Sequence, residues 1–77
     1  MKLTMRDFEH GMRAVKTLPE EVYLFYLRKE CLVYEYDSEA GKRYTVFYDD
    51  EKTEGLTLEL VEELLRAKMD KEQKKVV

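Results

Sequence analysis

The sequence predicts a single α+β domain in which two helices cover one face of a three-stranded antiparallel sheet, in the order helix, three strands, helix. Two observations carry this prediction. Apolar residues recur at helical spacing near both ends of the chain, and the middle alternates like a β-hairpin around a turn sequence. The domain is expected to span residues 1–77, with residues 71–77 as a frayed tail.

The first helix is predicted from apolar side chains that repeat every three or four residues and therefore share one helical face. This face consists of Met5, Phe8, Met12 and Val15. Thr4 can cap the helix, and Asp7 suits its first turn. Pro19 ends the helix, because proline disfavours helical backbone in the residue before it. Gly11 is interpreted as a tolerated glycine, and a close packing partner is the alternative.

The segment Val22 to Leu27 is apolar on both sides of either a helical or a strand period. Its β-branched and aromatic residues favour a strand, and a strand that is apolar on both faces suits the centre of a sheet. The alternative is a helix that starts after Pro19 and continues to about Lys29. We predict the strand, which supplies the first of the three.

Residues 31–49 are predicted to form a β-hairpin. If Gly41 takes the left-handed position of a three-residue turn, Ser38 lies opposite Lys42 and every later pair follows. Tyr36 then lies opposite Tyr44, Tyr34 opposite Val46, and Leu32 opposite Tyr48. These six residues form one apolar face, which we expect the helices to cover.

Apolar residues outside this core predict that the chain self-associates as a homodimer. Val22 to Leu27 is apolar on both faces, and Val33 and Phe47 fall on the sheet face opposite the predicted core. A monomer would expose an aromatic patch of the kind that usually marks an interface.

The last helix is predicted from a wide apolar stripe that begins after Thr57, which can cap it. The stripe consists of Leu58, Leu60, Val61, Leu64, Leu65 and Met69. Glutamates fill the N-terminal half of the helix and basic residues the C-terminal half, as the helix dipole favours. After Asp70 the sequence has no apolar face, so the tail is expected to fray.

Acidic charge is concentrated in the middle of the chain. Residues 30–63 contain eleven acidic residues against three basic ones, a net charge of −8, whereas residues 1–29 carry +2 and residues 64–77 carry +3. A charge distribution of this shape bears on partners and solubility rather than on the fold.

Few residues are of the kinds that catalyse reactions or bind metals. Cys31 is the only cysteine and His10 the only histidine, so an intrachain disulfide is excluded and a zinc site within one chain lacks ligands. The acidic stretch Asp49 to Gly55 lacks the spacing of a calcium-binding loop and is interpreted as a solvated turn. We therefore expect no enzymatic activity, no cofactor and no metal.

The sequence also predicts a cytoplasmic protein that does not associate with membranes. The longest apolar run, Val22 to Leu27, is shorter than the roughly 20 residues of a membrane span. The first residues lack the apolar region of a secretory signal, and a single cysteine suits a reducing compartment.

The predicted order of elements is similar to that of the double-stranded RNA-binding domain. In that family the second helix begins with lysines that contact phosphates, whereas the segment Thr57 to Glu63 carries three glutamates, which would repel them. The resemblance therefore extends to topology only and carries over no site residue. Base stacking on the sheet tyrosines is a further alternative, but it conflicts with their predicted place in the core.

The charge pattern has two functional interpretations. In the one we favour, the protein is a non-enzymatic regulator or inhibitor that binds a basic partner protein, such as one with a nucleic-acid groove, and does not bind nucleic acid directly. The residues predicted to bind this partner are Glu35, Asp37, Glu39, Asp49, Asp50, Glu51 and Glu54. Small acidic proteins without an active site are typical of phage and mobile-element anti-defence proteins, an analogy at the level of class.

In the alternative interpretation, the protein is a nucleic-acid-binding module that uses its basic helical ends. The basic residues concerned are Lys2, Arg6, Arg13, Lys16, Arg66, Lys68, Lys71, Lys74 and Lys75. A third interpretation assigns all these charges to keeping a small domain soluble.

Overall fold

Three helices and a three-stranded sheet make up the part of the chain that the computed structural model describes, which is residues 2–75 apart from the side chains of residues 73–75. The elements are α1 (Met5–Lys16), α2 (Glu20–Arg28), β1 (Cys31–Ser38), β2 (Gly41–Tyr48), β3 (Glu51–Leu56) and α3 (Leu58–Lys75). The sheet is antiparallel with strand order β1-β2-β3. The predicted α+β class, with a three-stranded antiparallel sheet between helices, is confirmed.

Helix α1 begins as the sequence predicts. The Thr4 hydroxyl accepts a hydrogen bond from the Asp7 amide at 3.3 Å, and the Asp7 carboxylate accepts one from the Thr4 amide at 2.9 Å. This reciprocal capping box satisfies two backbone donors that the first helical turn leaves unpaired.

Gly11 is in α1 because the helix packs directly on the backbone of β1. A Cβ atom built on Gly11 would lie 2.1 Å from the carbonyl oxygen of Val33, a distance that no side chain can occupy. The interpretation of Gly11 as a merely tolerated glycine was therefore wrong. Only glycine allows α1 to approach the edge of the sheet this closely.

Residues 22–27 are helical, so the predicted strand at this position was wrong and the helix starting after Pro19 is the correct alternative. Val22, Phe25 and Tyr26 are buried at helical spacing, whereas Leu24 and Leu27 are 47% and 51% exposed. The apolar residues on the second side of this segment thus lie at the surface. Strand propensity is a weak preference that packing of the other face overrides.

The third strand is β3, in the stretch that the sequence analysis interpreted as a solvated turn. Asp49 and Asp50 form a two-residue turn, and β3 pairs Tyr48 with Glu51, Phe47 with Lys52 and Val46 with Thr53. As an edge strand, β3 has solvent on one side and buries little, so it folds with a polar sequence that lacks the usual strand signal.

The register of the first hairpin differs from the prediction by one residue. Gly41 has the expected positive φ, 106°, but it pairs with Ser38, so the turn contains only Glu39 and Ala40. The Ser38 hydroxyl donates to the Gly41 carbonyl at 2.7 Å and accepts from the Ala40 amide at 3.2 Å, which closes this shorter turn.

This shift turns β1 over relative to the prediction, because successive strand residues point to opposite faces. Tyr44 and Val46 of β2 lie in the core as expected, but their β1 neighbours there are Cys31 and Val33. All three predicted core residues of β1, Leu32, Tyr34 and Tyr36, lie on the opposite face, which we call the open face. The open face consists of Leu32, Tyr34, Tyr36, Arg43, Thr45, Phe47 and Lys52, of which Thr45 is only 2% exposed.

All three helices contribute to one core on the other side of the sheet. Its buried apolar residues are Val15, Val22, Phe25, Tyr26, Cys31, Val33, Tyr44, Val46, Val61 and Leu65. Helix α3 continues to Lys75 rather than fraying after Asp70, and Glu72 forms an ion pair with Lys29 at 2.5 Å. Residues 76 and 77 of the predicted tail lie outside the described residues.

We predict that Gly11→Ala lowers the free energy of unfolding by about 1–3 kcal/mol, because the added methyl group forces α1 away from the Val33 carbonyl. Urea denaturation measures this change. Arg13→Ala, at an exposed site of the same helix, should change stability by less than about 0.5 kcal/mol. A Gly11→Ala protein more stable than the parent, as at an open helical glycine, would contradict the close approach.

We predict opposite outcomes for the same substitution at two neighbouring positions of β1. Val33→Asp buries an unpaired carboxylate in the core and should destabilise the protein by about 4 kcal/mol or more. Leu32→Asp, on the open face at a side chain that is 43% exposed, should cost about 1 kcal/mol. Thermal melts followed by circular dichroism compare the two variants. A Leu32→Asp protein less stable than the Val33→Asp protein would support the register predicted from sequence instead.

Candidate interaction surfaces

The seven acids predicted to bind a partner lie in two groups at opposite ends of β2. One group lies on and near the β1–β2 turn and the other at the β2–β3 turn, with Glu54 further along β3. The eight residues of β2 separate the two turns by about 26 Å. A single compact contact therefore cannot include all seven.

Glu35 belongs to a partly buried polar cluster. Its side chain is only 15% exposed, and its Oε2 accepts a hydrogen bond from the Tyr44 hydroxyl at 2.9 Å. Nδ1 of His10 and Nζ of Lys42 lie 3.6 Å and 3.5 Å from its Oε1. Burial, followed by the hydrogen bond to Glu35 and its charge, raises the pKa of Tyr44 to about 12. This cluster ties α1 to the first hairpin.

The register predicted from sequence hid this cluster, because it placed Thr45 opposite Glu35, and the observed register places Tyr44 there instead. Helix α1 lies along β1 and brings His10 to Glu35. A predicted turn one residue shorter would have placed Tyr44 opposite Glu35.

Three of the other predicted acids form ion pairs within the chain. Asp37 lies 2.8 Å from Lys42, Glu54 lies 2.7 Å from Lys52, and Glu51 lies 3.1 Å from Lys68. The Lys42 ammonium, by hydrogen bond and charge, holds the pKa of Asp37 below its ordinary value, and Lys52 does the same for Glu54. Pairs this exposed contribute little to stability, so a stronger cation can compete for these carboxylates.

Glu39, Asp49 and Asp50 are exposed and form no ion pair with another described residue. Asp49 and Asp50 have positive φ angles of 50° and 65°, as a type I′ hairpin turn requires at both central positions. Asparagine and glycine adopt this backbone at lower cost than aspartate. The β2–β3 turn therefore holds two adjacent carboxylates in water on a fixed backbone.

A cleft of about 600 Å³ lies between the β2–β3 turn, the start of β1 and the C-terminal half of α3. Lys29 and Glu72 pair across it, and Lys68 contacts Glu51 while its Nζ lies 5.3 Å from the centre of the Tyr48 ring. These contacts attach α3 to the same end of the sheet as the Asp49 turn.

The open face carries a row of aromatic side chains that no helix of residues 2–75 buries. The Phe8 and Tyr34 rings lie 5.4 Å apart at the border with α1, and Tyr34 meets Phe47 edge to face at 5.6 Å. Nζ of Lys52 lies 5.9 Å from the centre of the Phe47 ring. Leu32 is 43% exposed beside them. This surface has the aromatic centre and charged border that are typical of protein interfaces.

Cys31 is a buried thiol at the start of β1. Burial raises its pKa to about 11, so it stays protonated near neutral pH and lacks the thiolate that reactive cysteines need. Among the described residues, no three metal-binding side chains of the His, Cys, Asp and Glu types come together. Within residues 2–75, no helix is long and apolar enough to cross a bilayer.

Comparisons of the chain with protein-family models, with curated proteins and with solved structures found no match. The geometry of these surfaces is therefore the basis for every functional conclusion that follows.

We predict that stability falls as the pH rises above about 9. Burial raises the pKa of Cys31 from 9.0 to about 11 and those of Tyr26 and Tyr44 from 10.0 to about 12. Because the folded state favours the protonated forms, their contribution is complete below the unfolded pKa values and is lost as pH rises through the folded ones. Urea unfolding at a series of alkaline pH values measures the decline.

The Cys31→Ala variant is the control for this prediction. It removes the group that titrates first, so its free energy of unfolding should stay level to a higher pH than that of the parent. Superimposable pH profiles for the two proteins would contradict the assignment of Cys31.

Proposed function

We propose that this protein is a small non-enzymatic regulator or inhibitor that binds a partner protein with a basic surface, such as the nucleic-acid groove of a larger protein. Its carboxylates would occupy positions that phosphates otherwise take. The class analogy to phage and mobile-element anti-defence proteins belongs to this proposal. The cytoplasm is the proposed compartment.

The observation that carries the proposal is the turn at Asp49 and Asp50. Both residues have left-handed backbone, and their like charges are adjacent in the chain. A turn selected only to connect two strands would favour Asn-Gly, which relieves both the backbone cost and the repulsion. Backbone strain of this kind, kept at an exposed site, supports a role for the two carboxylates in binding.

The surrounding charges support an electrostatic mode of capture. Glu51 is adjacent in sequence, and its side chain is 69% exposed although it pairs with the largely buried Lys68, so a partner's cation can reach this carboxylate. Opposite charge across an interface chiefly accelerates encounter and sets orientation, and salt weakens both effects. Glu39 lies at the other end of β2 and would contact a second part of an extended basic surface. Glu35 is held inside its cluster and would act by fixing the hairpin.

A second candidate function, binding of single-stranded nucleic acid, is favoured by the open face. Tyr34 and Phe47 offer rings on which bases could stack, and Arg43 and Lys52 lie on the same face. We rank it second because Lys52 is already paired with Glu54 and both turns beside the face are acidic. Fluorescence polarisation with labelled single-stranded and duplex oligonucleotides should show no measurable affinity at physiological salt. Tight binding that Phe47→Ser abolishes would reverse the ranking.

The proposed function predicts that stability and binding change in opposite directions in the Asp49→Asn, Asp50→Gly double variant. The new turn residues fit the left-handed backbone, so the free energy of unfolding should rise by about 1 kcal/mol. Loss of two carboxylates should weaken capture of the partner and reduce its dependence on salt. Urea denaturation measures the first effect. Quantitative mass spectrometry of proteins copurified with the tagged chain from its native cells measures the second.

The matched control is the Glu59→Gln, Glu63→Gln double variant. It removes the same number of negative charges from exposed positions on α3, away from the turn. Partner capture should equal that of the parent if the site is the Asp49 turn. Equal losses in both variants would indicate that net charge alone governs binding, and unchanged capture by the turn variant would contradict the proposal.

A further inference from the structure

The two edges of the sheet differ in how they are covered. On the β1 side, α1 packs on the strand backbone at Gly11. On the β3 side, β3 pairs with β2, with a register shift between Thr53 and Leu56, and no further strand of residues 2–75 pairs with its outer side. Glu51, Lys52 and Glu54 are exposed along it. An open edge of this kind is a template for a further strand.

The pairing pattern shows which backbone groups of β3 point outward. The Val33 carbonyl faces α1 and therefore points away from β2. Val46 lies opposite Val33, so its own polar groups point toward β3, where they meet Thr53. Because these groups alternate along a strand, the amide and carbonyl of Lys52 point to the open edge.

The charges of β3 are complementary to a second copy in one antiparallel register. When two β3 strands pair about a two-fold axis at Thr53, Lys52 of each copy lies opposite Glu54 of the other. The intrachain Lys52–Glu54 pair at 2.7 Å shows that the two side chains share one face. Moving the centre of the pairing to Lys52 or to Glu54 would place identical charges opposite each other. The sequence of this edge thus favours a single symmetric register.

A partly exposed apolar flank of α3, in which Leu60 is exposed and Leu64 is partly buried against the core, lies on the same side as this edge. Lys68 contacts Glu51 of β3, and Leu64 and Leu60 precede Lys68 at successive four-residue steps, which places all three along one flank of the helix. Leu60 is 43% exposed. In the two-fold pairing just described, the open faces of both copies lie on one side of the joined sheet, and the two α3 flanks lie next to each other on the other side.

We propose that the partner of this edge is a second copy of the chain. Two β3 strands pair antiparallel about Thr53 to form a continuous six-stranded sheet, Lys52 and Glu54 pair twice across the junction, and Leu60 and Leu64 of the two helices pack together. This proposal is independent of the proposed regulatory function. It joins the two open faces into one surface.

The test is sedimentation equilibrium of the purified chain and of two single variants, Lys52→Glu and Glu54→Lys. The parent should form dimers. Each variant replaces two attractive cross-strand contacts with two repulsive ones and should weaken dimerisation by about tenfold or more. Mixing the two variants restores opposite charges at both contacts, so the mixture should dimerise while each variant alone does not. Recovery on mixing also shows that the variants are folded.

Two further variants test the helix flank. Leu60→Glu should weaken the dimer, whereas Leu24→Glu, at a leucine of α2 that is 47% exposed, should leave it unchanged. A parent that stays monomeric over the whole concentration range would overturn the proposal and assign Lys52 and Glu54 to protection of the edge. A dimer that both charge variants retain, or that Tyr34→Ser alone disrupts, would also overturn it by placing the contact on another surface.

Discussion

The pairing of Ser38 with Gly41 determines which residues β1 displays on each face of the sheet. A strand has a period of two, so the length of one turn decides which half of β1 enters the core. The observed turn places Val33 in the core and brings its carbonyl to Gly11 at the edge of the sheet. It also places Tyr44 opposite Glu35 and leaves Tyr34 on the open face. One serine hydroxyl that accepts and donates within the turn therefore has consequences for both faces of the sheet.

A chain of 77 residues has little apolar surface to bury, and this protein uses it on one side of the sheet only. Three helices enclose a single core, and α1 also covers an edge because Gly11 removes the side chain that would keep it away. The opposite face and the β3 edge stay open. These open surfaces are where a partner, or a second copy, can add the burial that the monomer lacks.

The features that the sequence predicted correctly are those that depend on local periodicity. The first and last helices follow from apolar spacing, and the Thr4 cap of the first helix follows from residue type alone. The features that it did not predict depend on small differences in free energy between competing structures. Val22 to Leu27 suits a helix or a strand, and tertiary packing selects the helix. In the predicted three-residue turn Gly41 lies inside the turn, whereas in the observed two-residue turn it pairs with Ser38. The alternation of apolar residues did not distinguish the two turns.

The acidic residues show the same division between what the sequence predicts and what it does not. Sequence identified the acidic residues, but it could not sort those that hold the fold together from those that are free to bind. Tyr44 and His10 hold the Glu35 side chain in place. The predicted register placed Thr45 rather than Tyr44 opposite Glu35 and therefore hid this role. Asp49 and Asp50 were interpreted as part of a solvated turn, and they are the two non-glycine residues with positive φ among the described residues.

These acids differ in whether they have partners within the chain. Glu35, the carboxylate that ties α1 to the hairpin, accepts a hydrogen bond from the Tyr44 hydroxyl and lies beside His10 and Lys42. Carboxylates at the β2–β3 turn gain no such partner within the described residues and occupy backbone that aspartate adopts at a cost. An uncompensated charge at an exposed, fixed position adds nothing to the stability of a monomer. Its physical effect is exerted on whatever approaches it, over the distance of about 8 Å at which salt screens it. The β2–β3 turn is thus one part of this fold whose charge acts outward.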